Sequence, residues 1–269
     1  MSEFTSTHFE KYRKLIYERY GIFFSDAKKT LLIGKIDKLL RDNKITSYDE
    51  YFNIINNPSN QSYITEFINT ITVNKTEFFR ENSHFDFLKN SLSLISKKNP
   101  RIIKNREIRV WCSACSTGQE AYTIAMVLND LFKDQYMDIK ILATDISTKV
   151  IKIAQQGRYS GTISNEIPPH YFSRYFDIFD SEVEAKQSLK DKITFRKFNL
   201  MEPFPFANKF DIIFCRNVMI YFDIPTQEKL LQKFYNYMPD GGLLFIGQSE
   251  SLINKKNQFS YLQPSVYYK

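Results

Sequence analysis

The sequence predicts an α/β fold with a doubly wound, mostly parallel sheet, a small antiparallel β subdomain and an all-α N-terminal domain. The first observation is the succession of a strand, a loop of small residues and an apolar helix face between Arg109 and Met126. The second is a series of short apolar runs after residue 106, each ending in polar residues, as buried parallel strands do. The third is the helical spacing of apolar residues before Thr72.

Four apolar stripes at helical spacing predict the N-terminal helical domain, residues 1–72. Ser47 and Glu50 form a capping box, which predicts the start of the third helix. The stripes contain Phe9, Tyr12 and Ile16; Leu32, Ile36 and Leu39; Tyr51, Ile54 and Ile55; and Ile64, Phe67, Ile68 and Ile71. A junction and a connecting helix are expected next, over residues 73–105.

Strand ends mark the predicted α/β domain, residues 106–269. Val110 and Trp111 end the first buried strand, and the second strand ends at Asp145. Later strands are predicted at 193–198, 210–215, 243–247 and 266–268. Residues 176–196 alternate loosely between apolar and charged side chains, which predicts the small antiparallel subdomain.

Length and composition narrow the class of protein. No apolar run approaches ~18 residues and no charged-then-apolar leader opens the chain, so we expect a cytoplasmic protein without direct membrane insertion. Cys112-x-x-Cys115 is open to a redox or metal interpretation. No second cysteine pair exists, and the 3 histidines are scarce, so we favour small residues at a strand end and expect no metal.

The positive charge of the chain indicates an acidic partner. The formal net charge is +7, which suits either nucleic acid or an acidic protein surface. Lys28, Lys35 and Lys38 align along one side of the second predicted helix. A face of one sign is either a solvated surface or a docking surface for an acidic partner, and both interpretations are open.

The loop from Cys112 to Gly118 does not have the pattern of a phosphate-binding loop. It lacks Gly-x-Gly-x-x-Gly and Gly-Lys-Ser/Thr, which argues against a dinucleotide or a nucleoside triphosphate. Glu120 in the first turn of the following helix would repel a phosphate, although it suits the helix dipole. A cofactor with a positive part, such as S-adenosylmethionine (SAM), fits better. A Glu120 that only caps the helix is the alternative.

Asp145 ends the second predicted strand. An acidic residue at this point accepts both ribose hydroxyls in nucleoside-binding α/β domains, because a carboxylate offers two acceptor oxygens. The competing interpretation is that Asp145 caps the next helix.

These motifs together resemble the chemotaxis receptor methyltransferases of the CheR type. The similar runs are Asn74-x-Thr76-x-Phe78-Phe79-Arg80-Glu81, Ala114-Cys-Ser-Thr-Gly-Gln-Glu120, Ala143-Thr-Asp-Ile146, Phe214-Cys-Arg-Asn-Val-Met-Ile-Tyr-Phe222 and Gly247-Gln-Ser-Glu-Ser251. They occur in the family's order and cover nearly the whole chain. The resemblance implies a Rossmann-like SAM-dependent methyltransferase domain behind a helical domain.

The resemblance also implies the activity and the site. The family uses SAM to methylate glutamate side chains of chemoreceptors, releasing S-adenosylhomocysteine. The residues that would line the cofactor are Asn74, Thr76, Arg80, Glu120, Asp145, Asn199, Leu200, Arg216 and Asn217. Arg80 and Tyr221 would stand closest to the transferred methyl group. The implied partner is the cytoplasmic methylation region of a chemoreceptor, bound by a monomer through the Lys28, Lys35 and Lys38 face.

The chemistry of the implied reaction needs no general base. A glutamate carboxylate has a pKa near ~4.3 and is already nucleophilic at neutral pH. Arg80 would hold one of its oxygens, and Tyr221 would either donate a hydrogen bond or only form the pocket wall. The alternatives are a nucleic-acid methyltransferase and a non-catalytic SAM-binding regulatory protein. No RNA-binding module is evident, so we expect no nucleic-acid partner.

The resembled family suggests one further expectation for residues 176–196. Some members bind a short receptor C-terminal peptide along the edge of this subdomain by strand addition. A strand edge carrying Asp180, Glu182 and Glu184 would repel an acidic peptide. We therefore predict that this protein works without a C-terminal tether.

Overall fold

The computed structural model describes residues 3–72 and 74–269 in two compact units. Of the described residues, 3–72 and Tyr221–Thr226 form the first unit, and Asn74–Ile220 with Gln227–Lys269 form the second. Val73, the first residue of the predicted junction, lies outside the described residues. Within those residues, no helix is both long and apolar enough to span a membrane.

The first unit is a bundle built from the four predicted amphipathic helices. They are α1 Ser6–Tyr20, α2 Lys29–Asp42, α3 Tyr48–Asn56 and α4 Gln61–Ile71. The predicted inward stripes are buried, as shown by Ile16 and Leu32, neither of which exposes any measurable surface. The Ser47 hydroxyl accepts the N–H of Glu50 and so begins α3 as predicted.

Lys35 does not belong to an exposed basic face, contrary to the sequence prediction. Its ammonium group donates hydrogen bonds to the carbonyl oxygens of Thr70, Ile71 and Thr72, at 2.7, 3.0 and 3.4 Å. These carbonyls lie at the carboxyl end of α4, where a positive charge interacts favourably with the helix dipole, so a lysine is a favourable cap. Burial lowers the pKa of Lys35. Lys28 and Lys38 are exposed.

The segment Tyr221–Thr226 belongs to the helical unit by its contacts, although the sequence analysis placed it in the α/β domain. The N–H of Phe23 donates to the carbonyl oxygen of Tyr221 at 2.8 Å. The hydroxyl of Tyr17 donates to the carboxylate of Asp223 at 2.8 Å. Sequence periodicity reports only local spacing, so it could not predict that residues 221–226 belong to a unit far away in the sequence.

The second unit contains a seven-stranded sheet in the order β6-β2-β1-β7-β8-β10-β9. The strands are β1 Glu107–Cys112, β2 Asp138–Asp145, β6 Ile193–Lys197, β7 Ile212–Cys215, β8 Leu243–Ile246, β9 Ser260–Gln263 and β10 Val266–Tyr268. The first five are parallel, and β10 and β9 are antiparallel to their neighbours. The predicted fold class is therefore confirmed.

The remaining helices precede the first strand or connect the strands. They are α5 Ser83–Lys89, α6 Leu92–Lys98, α7 Arg101–Asn105, α8 Gln119–Leu131, α9 Thr148–Gln156, α10 Pro169–Tyr175, α11 Gln187–Lys190 and α12 Ile224–Asn236. The chain moves outward from β1 through β2 to β6, and then returns to the other side of β1 with β7. In such sheets, ligands bind beyond the carboxyl ends of the strands where the order reverses. This point lies between β1 and β7.

The small antiparallel sheet differs in composition from the predicted subdomain at 176–196. It consists of β3 Arg158–Ser160, β4 Phe176–Phe179 and β5 Glu182–Ala185, in the order β3-β5-β4. The end of the predicted range belongs instead to β6, which pairs with β2 in the large sheet. A short strand such as β3 has too few residues to show an alternation.

The acidic edge expected in this subdomain does not exist as described. Glu182 and Glu184 lie on β5, the central strand, and Glu184 pairs with Arg158 and Lys190. The two-residue turn before β5 needs no glycine, because Asp180 adopts φ 50°. Repulsion by an acidic strand edge therefore does not support work without a tether, which stays a prediction.

Candidate active site

The carboxyl ends of four parallel strands carry most of the predicted site residues of the second unit. The loop after β1 leads to Glu120, and Asp145 is the last residue of β2. Asn199 and Leu200 follow β6, and Arg216 and Asn217 follow β7. Parallel strands end at one edge of the sheet, which explains how residues far apart in sequence reach the same region.

Glu120 is held by an arginine rather than by its own helix. One carboxylate oxygen accepts a hydrogen bond from Nη1 of Arg216 at 2.8 Å, and the other accepts from Sγ of Cys112 at 3.4 Å. The residue at the N-cap of α8 is Gly118, with φ 99°. These contacts do not support the interpretation that Glu120 only caps the helix. Burial raises the pKa of Glu120, and the charge of Arg216 opposes that shift.

Arg216 lies at the centre of a buried charge cluster. Its side chain is 0% exposed, against 13% for Glu120 and 14% for Glu81. Nη2 donates to the backbone carbonyl of Arg80 and to Oε2 of Glu81, the latter at 3.2 Å. These contacts hold the guanidinium in one position, and its place in the cofactor lining stays a prediction. Arg216 therefore orients its neighbours in this structure.

Glu81 accepts hydrogen bonds from two separate segments of the unit. Besides Arg216, the donors are Nδ2 of Asn217 at 3.1 Å and the N–H of Gln248 at 3.0 Å. Burial alone would raise the pKa of Glu81, but these donors and the charge of Arg216 lower it overall. Glu81 belongs to the junction motif, and the sequence by itself indicated no role for it.

Asp145 joins the loop after β1 to the loop after β2. Its two carboxylate oxygens accept the N–H groups of Ser116 and Ser147, each at 2.9 Å. The side chain that caps α9 is Ser147, which accepts from the N–H of Val150, so the cap interpretation of Asp145 is wrong. Each carboxylate oxygen can accept a further hydrogen bond. Burial raises the pKa of Asp145 although these N–H groups oppose the shift.

The junction motif reaches the same loops. The carbonyl oxygen of Asn74 accepts from the Ser116 hydroxyl at 2.9 Å, and Thr76 lies half-buried two residues later. The side chain of Arg80 donates to the carbonyl of Lys75 at 3.0 Å and is itself half-buried. Its charge also acts on Glu120, which places the guanidinium in the electrostatic environment of that carboxylate.

The segment after β6 is fixed by a lysine that the sequence analysis missed. The Asn199 side-chain oxygen accepts the N–H of Met201 at 3.0 Å. The ammonium group of Lys233 on α12 donates to the carbonyl oxygens of Leu200, Met201 and Glu202. Leu200 is 7% exposed, so its side chain forms part of the apolar lining of this region.

Glu250, like Lys233, holds the loops near the site and was not predicted from the sequence. Its half-buried carboxylate accepts the N–H groups of Gly247, Asn217 and Ile220, at 2.6, 3.1 and 3.1 Å. Asn217 therefore has its backbone held by Glu250 and its side chain by Glu81. Burial raises the pKa of Glu250 against the effect of these donors. A Glu three residues after a glycine was visible in the sequence, but its partners after β7 were not.

Strained backbone conformations cluster around these loops. Phe79, Glu81, Ser116 and Asn217 have φ between 48° and 55°, which non-glycine residues rarely adopt. Such conformations cost about 1–3 kcal/mol each and persist where the surrounding contacts determine them, often at functional sites. The contacts of Glu81 and Glu250 supply that constraint.

The cysteines and histidine near the site are inert. Cys112, Cys115 and Cys215 are buried and free, and burial raises their pKa values. His84 is 1% exposed, and burial together with the charge of Arg216 lowers its pKa to about 4. In the described part of the chain, no group of three or more His, Cys, Asp and Glu side chains could hold a metal ion.

Tyr221 is half-buried in the segment that contacts the helical unit. Its backbone carbonyl oxygen takes part in the contact with Phe23 described above. Its predicted place beside the transferred methyl group therefore stays a prediction.

The sheet order is typical of an α/β domain that binds a nucleoside-containing cofactor. Glu120, after β1, and Asp145, at the end of β2, agree with this class. Residues 74–268 match the SAM binding domain of CheR methyltransferases, and residues 7–72 match the all-alpha domain of the same family. The chain belongs to the CheR methyltransferase family. This confirms the resemblance found in the sequence.

Relatives from several bacteria agree with the family. The chain is similar to a chemotaxis protein methyltransferase of Borreliella burgdorferi, with 39% identity over 95% of this chain and 92% of the relative. It is also similar to the chemotaxis protein methyltransferase of Escherichia coli, with 33% identity over 98% of this chain and 91% of the relative. The protein is a SAM-dependent methyltransferase of chemotaxis.

Proposed function

We propose that this protein transfers the methyl group of SAM to glutamate side-chain carboxylates of chemoreceptors and forms methyl esters. The observation that carries this proposal is the half-buried Arg80 guanidinium beside a cluster whose other charged groups are internally paired. A carboxylate substrate needs a cation to hold one oxygen while the other attacks, and it needs no proton acceptor. Arg80 suits that task.

The residues present fit SAM. Glu120, with 13% of its side chain exposed, is an acceptor for a cationic group, and Asp145 keeps free acceptor capacity for a pair of hydroxyls. Asn74, Thr76, Asn199, Leu200 and Asn217 complete the proposed lining, and Arg216 supports it from behind Glu120. When bound, SAM supplies an electrophilic methyl group activated by a sulfonium, and S-adenosylhomocysteine is the product.

Each residue of the chain then has a binding or orienting task. Arg80 holds the substrate carboxylate in line with the methyl group, while the backbone contact from Arg216 fixes the chain at Arg80. Tyr221 either donates a hydrogen bond to the substrate or walls the pocket. The Lys28 and Lys38 side chains form the proposed docking surface for the acidic methylation region, and Lys35 is excluded because it caps α4.

The test is methyl transfer from labelled SAM to a purified cytoplasmic chemoreceptor fragment. We expect incorporated label that is released as methanol by mild base, because methyl esters hydrolyse and methylamines do not. A fragment whose candidate glutamates are replaced by glutamine is the matched control and should take up no label. Label that resists base, or label on RNA but not on the receptor fragment, would contradict the proposal.

A further inference from the structure

A cavity of about 470 Å³ lies at the end of the large sheet opposite the candidate active site. Its lining comes from the end of α8, the start of β2, the end of α10, and α11 with the turn before β6. Ile139 lines the cavity near the start of β2, whereas Asp145 ends the same strand at the candidate active site. The six residue steps between them span about 20 Å, so the cavity is separate from that site.

The lining of the cavity is basic. It includes Lys133, Arg174 and Lys192, and it includes no carboxylate of the described chain. Arg174 pairs with Asp130 at 3.3 Å, so its charge already has a partner. Within residues 3–72 and 74–269, neither of the two lysines forms an ion pair. Two positive charges at the cavity are therefore available to an anion.

The acidic residues beside these lysines do not cancel their charge inside the cavity. Asp134 and Asp191 are their neighbours in the chain, but both are exposed and lie outside the lining. Asp191 instead accepts a hydrogen bond from Gln187 at 2.7 Å. Water and salt screen exposed charges, so an anion inside the cavity interacts mainly with the lysines.

Tyr175 adds a hydrogen-bond donor that has no acceptor. It lines the cavity and is 6% exposed, and its hydroxyl has no hydrogen-bond partner among the described residues. Burial raises the pKa of Tyr175, and Arg174 and Asn129 oppose that shift without satisfying the hydroxyl. A buried hydroxyl without a partner costs free energy, which favours a ligand that brings an acceptor oxygen. The hydroxyl is closed to water here, so the ligand reaches it through a side-chain rotation of the kind common on binding.

The remaining walls of the cavity are apolar or aromatic. Phe132, Met137 and Ile139 are buried, and Tyr136 is 75% exposed. An exposed aromatic ring is a stacking partner for a planar ring of a ligand. Small-molecule sites combine apolar walls with a few polar groups in volumes of about 300–1,000 Å³, and this cavity has both properties.

We propose that this cavity binds a small phosphomonoester that carries a planar ring, as a nucleoside monophosphate does. Lys133 and Lys192 attract the phosphate, because ammonium groups bind phosphates as point charges. Tyr136 packs against the ring, and the Tyr175 hydroxyl donates to an oxygen of the ligand. The site is distinct from the proposed SAM site, and the inference does not depend on methyl transfer.

The experiment is a calorimetric titration of the full chain with uridine monophosphate and with guanosine monophosphate. Saturating S-adenosylhomocysteine is present throughout, so that neither probe enters the proposed SAM site. We expect one of the two to bind with a stoichiometry of one. The matching nucleoside and inorganic phosphate, which each lack one half of the probe, should bind at least tenfold more weakly. No binding of either monophosphate, or equal binding without the phosphate or without the ring, would overturn the inference.

Lys192→Gln tests the charge at the cavity. It should weaken the bound monophosphate about tenfold, because it removes a charged hydrogen bond to the phosphate. Lys152→Gln is the matched control, since Lys152 is an exposed lysine of α9 outside the lining, and its affinity should equal that of the parent. Equal losses in both variants would show a general effect of net charge and would overturn the inference.

Tyr175→Phe separates a ligand-binding hydroxyl from a structural one. The substitution removes only the hydroxyl, which has no partner to lose in the free protein. We expect the melting temperature to be unchanged or raised, and the affinity for the monophosphate to fall about three- to tenfold. A lower melting temperature with unchanged affinity would mean that the hydroxyl serves the fold, and it would overturn the inference.

Discussion

The two units of this protein treat their charged groups in opposite ways. In the helical unit, charges pair near the surface, as His8 and Lys11 do with Asp49, whose side chain is 56% exposed. In the α/β unit, Arg216 and its carboxylate partners are buried beside strained backbone. Exposed pairs contribute little and tolerate change, whereas buried charges are costly to disturb. The pairs around Asp49 can thus vary freely, and the buried cluster around Arg216 cannot.

The largest expected effect is the acid sensitivity caused by His84. Its pKa is lowered from 6.5 to about 4 by burial and by Arg216, so stability is present above pH 6.5 and is lost as the pH falls towards 4. The loss should reach about 3 kcal/mol in the free energy of unfolding. Denaturant unfolding at a series of pH values measures it. His84→Gln should flatten the profile in that range, and an unchanged profile would remove His84 as the cause.

Arg80→Ala should reduce turnover without affecting the fold. Loss of a charged hydrogen bond to the substrate is worth about 1.5–3 kcal/mol, or roughly 10- to 100-fold in rate. The melting temperature should stay close to that of the parent, because the partly exposed Arg80 side chain makes one hydrogen bond to a backbone carbonyl in this structure. The rate of methyl transfer and the melting temperature, both measured on one preparation, distinguish a role in the reaction from a structural role. A large fall in melting temperature with turnover retained would indicate a structural role.

Asp145→Ala should weaken SAM and S-adenosylhomocysteine alike, by about 1–3 kcal/mol, because both ligands leave buried hydroxyls without an acceptor. Calorimetric titration with the two ligands measures this change. Asp145→Asn keeps one acceptor oxygen and should lose less. Full affinity in Asp145→Ala would remove this residue from the binding site.

Lys35→Met should destabilise the helical unit by about 1 kcal/mol, because the carbonyl groups that end α4 lose their donor. Lys38→Met on the same helix is the matched control and should be neutral, since Lys38 is exposed. Chemical denaturation of both variants makes the comparison. Equal stability of the two variants would mean that the Lys35 cap contributes nothing.

The smallest effect is expected from charge reversal on the docking surface. Glutamate at Lys28 and Lys38 should raise the KM for the receptor fragment several-fold at low salt. The salt dependence of KM should become flatter, because steering between exposed charges is screened beyond about 8–10 Å. Initial rates over a salt series provide the measurement. A KM equal to that of the parent at every salt concentration would show that Lys28 and Lys38 do not contact the receptor.

The sequence located candidate site residues best where a residue stands at the end of a strand or at the start of a helix. Asp145 follows an apolar run, and Glu120 opens a helix after a loop of small residues, so local pattern and strand order were enough to place them. Glu250, Lys233 and the role of Arg216 were missed for a common reason. Each acts through partners on loops that are distant in sequence, and no periodicity reports such hydrogen bonds.

The same difference between local patterns and distant partners explains why two predictions about surface residues were wrong. Helical spacing correctly placed Lys35 and Lys38 on α2, but Lys28 ends a short 3-10 turn before that helix, and the end of α4 decided that Lys35 is a cap. Alternation found an antiparallel subdomain, but the pairing of β3 decided that Glu182 and Glu184 are central rather than at an edge.

By itself, the sequence determined the helices, the parallel strands, their polar ends and the family, because these depend on local periodicity and on short motifs. Only the tertiary structure decided which carboxylates share Arg216, which residues hold Asn217 and which lysine is buried. The physical reason is that burial and hydrogen-bond satisfaction depend on groups that meet only when the chain is folded.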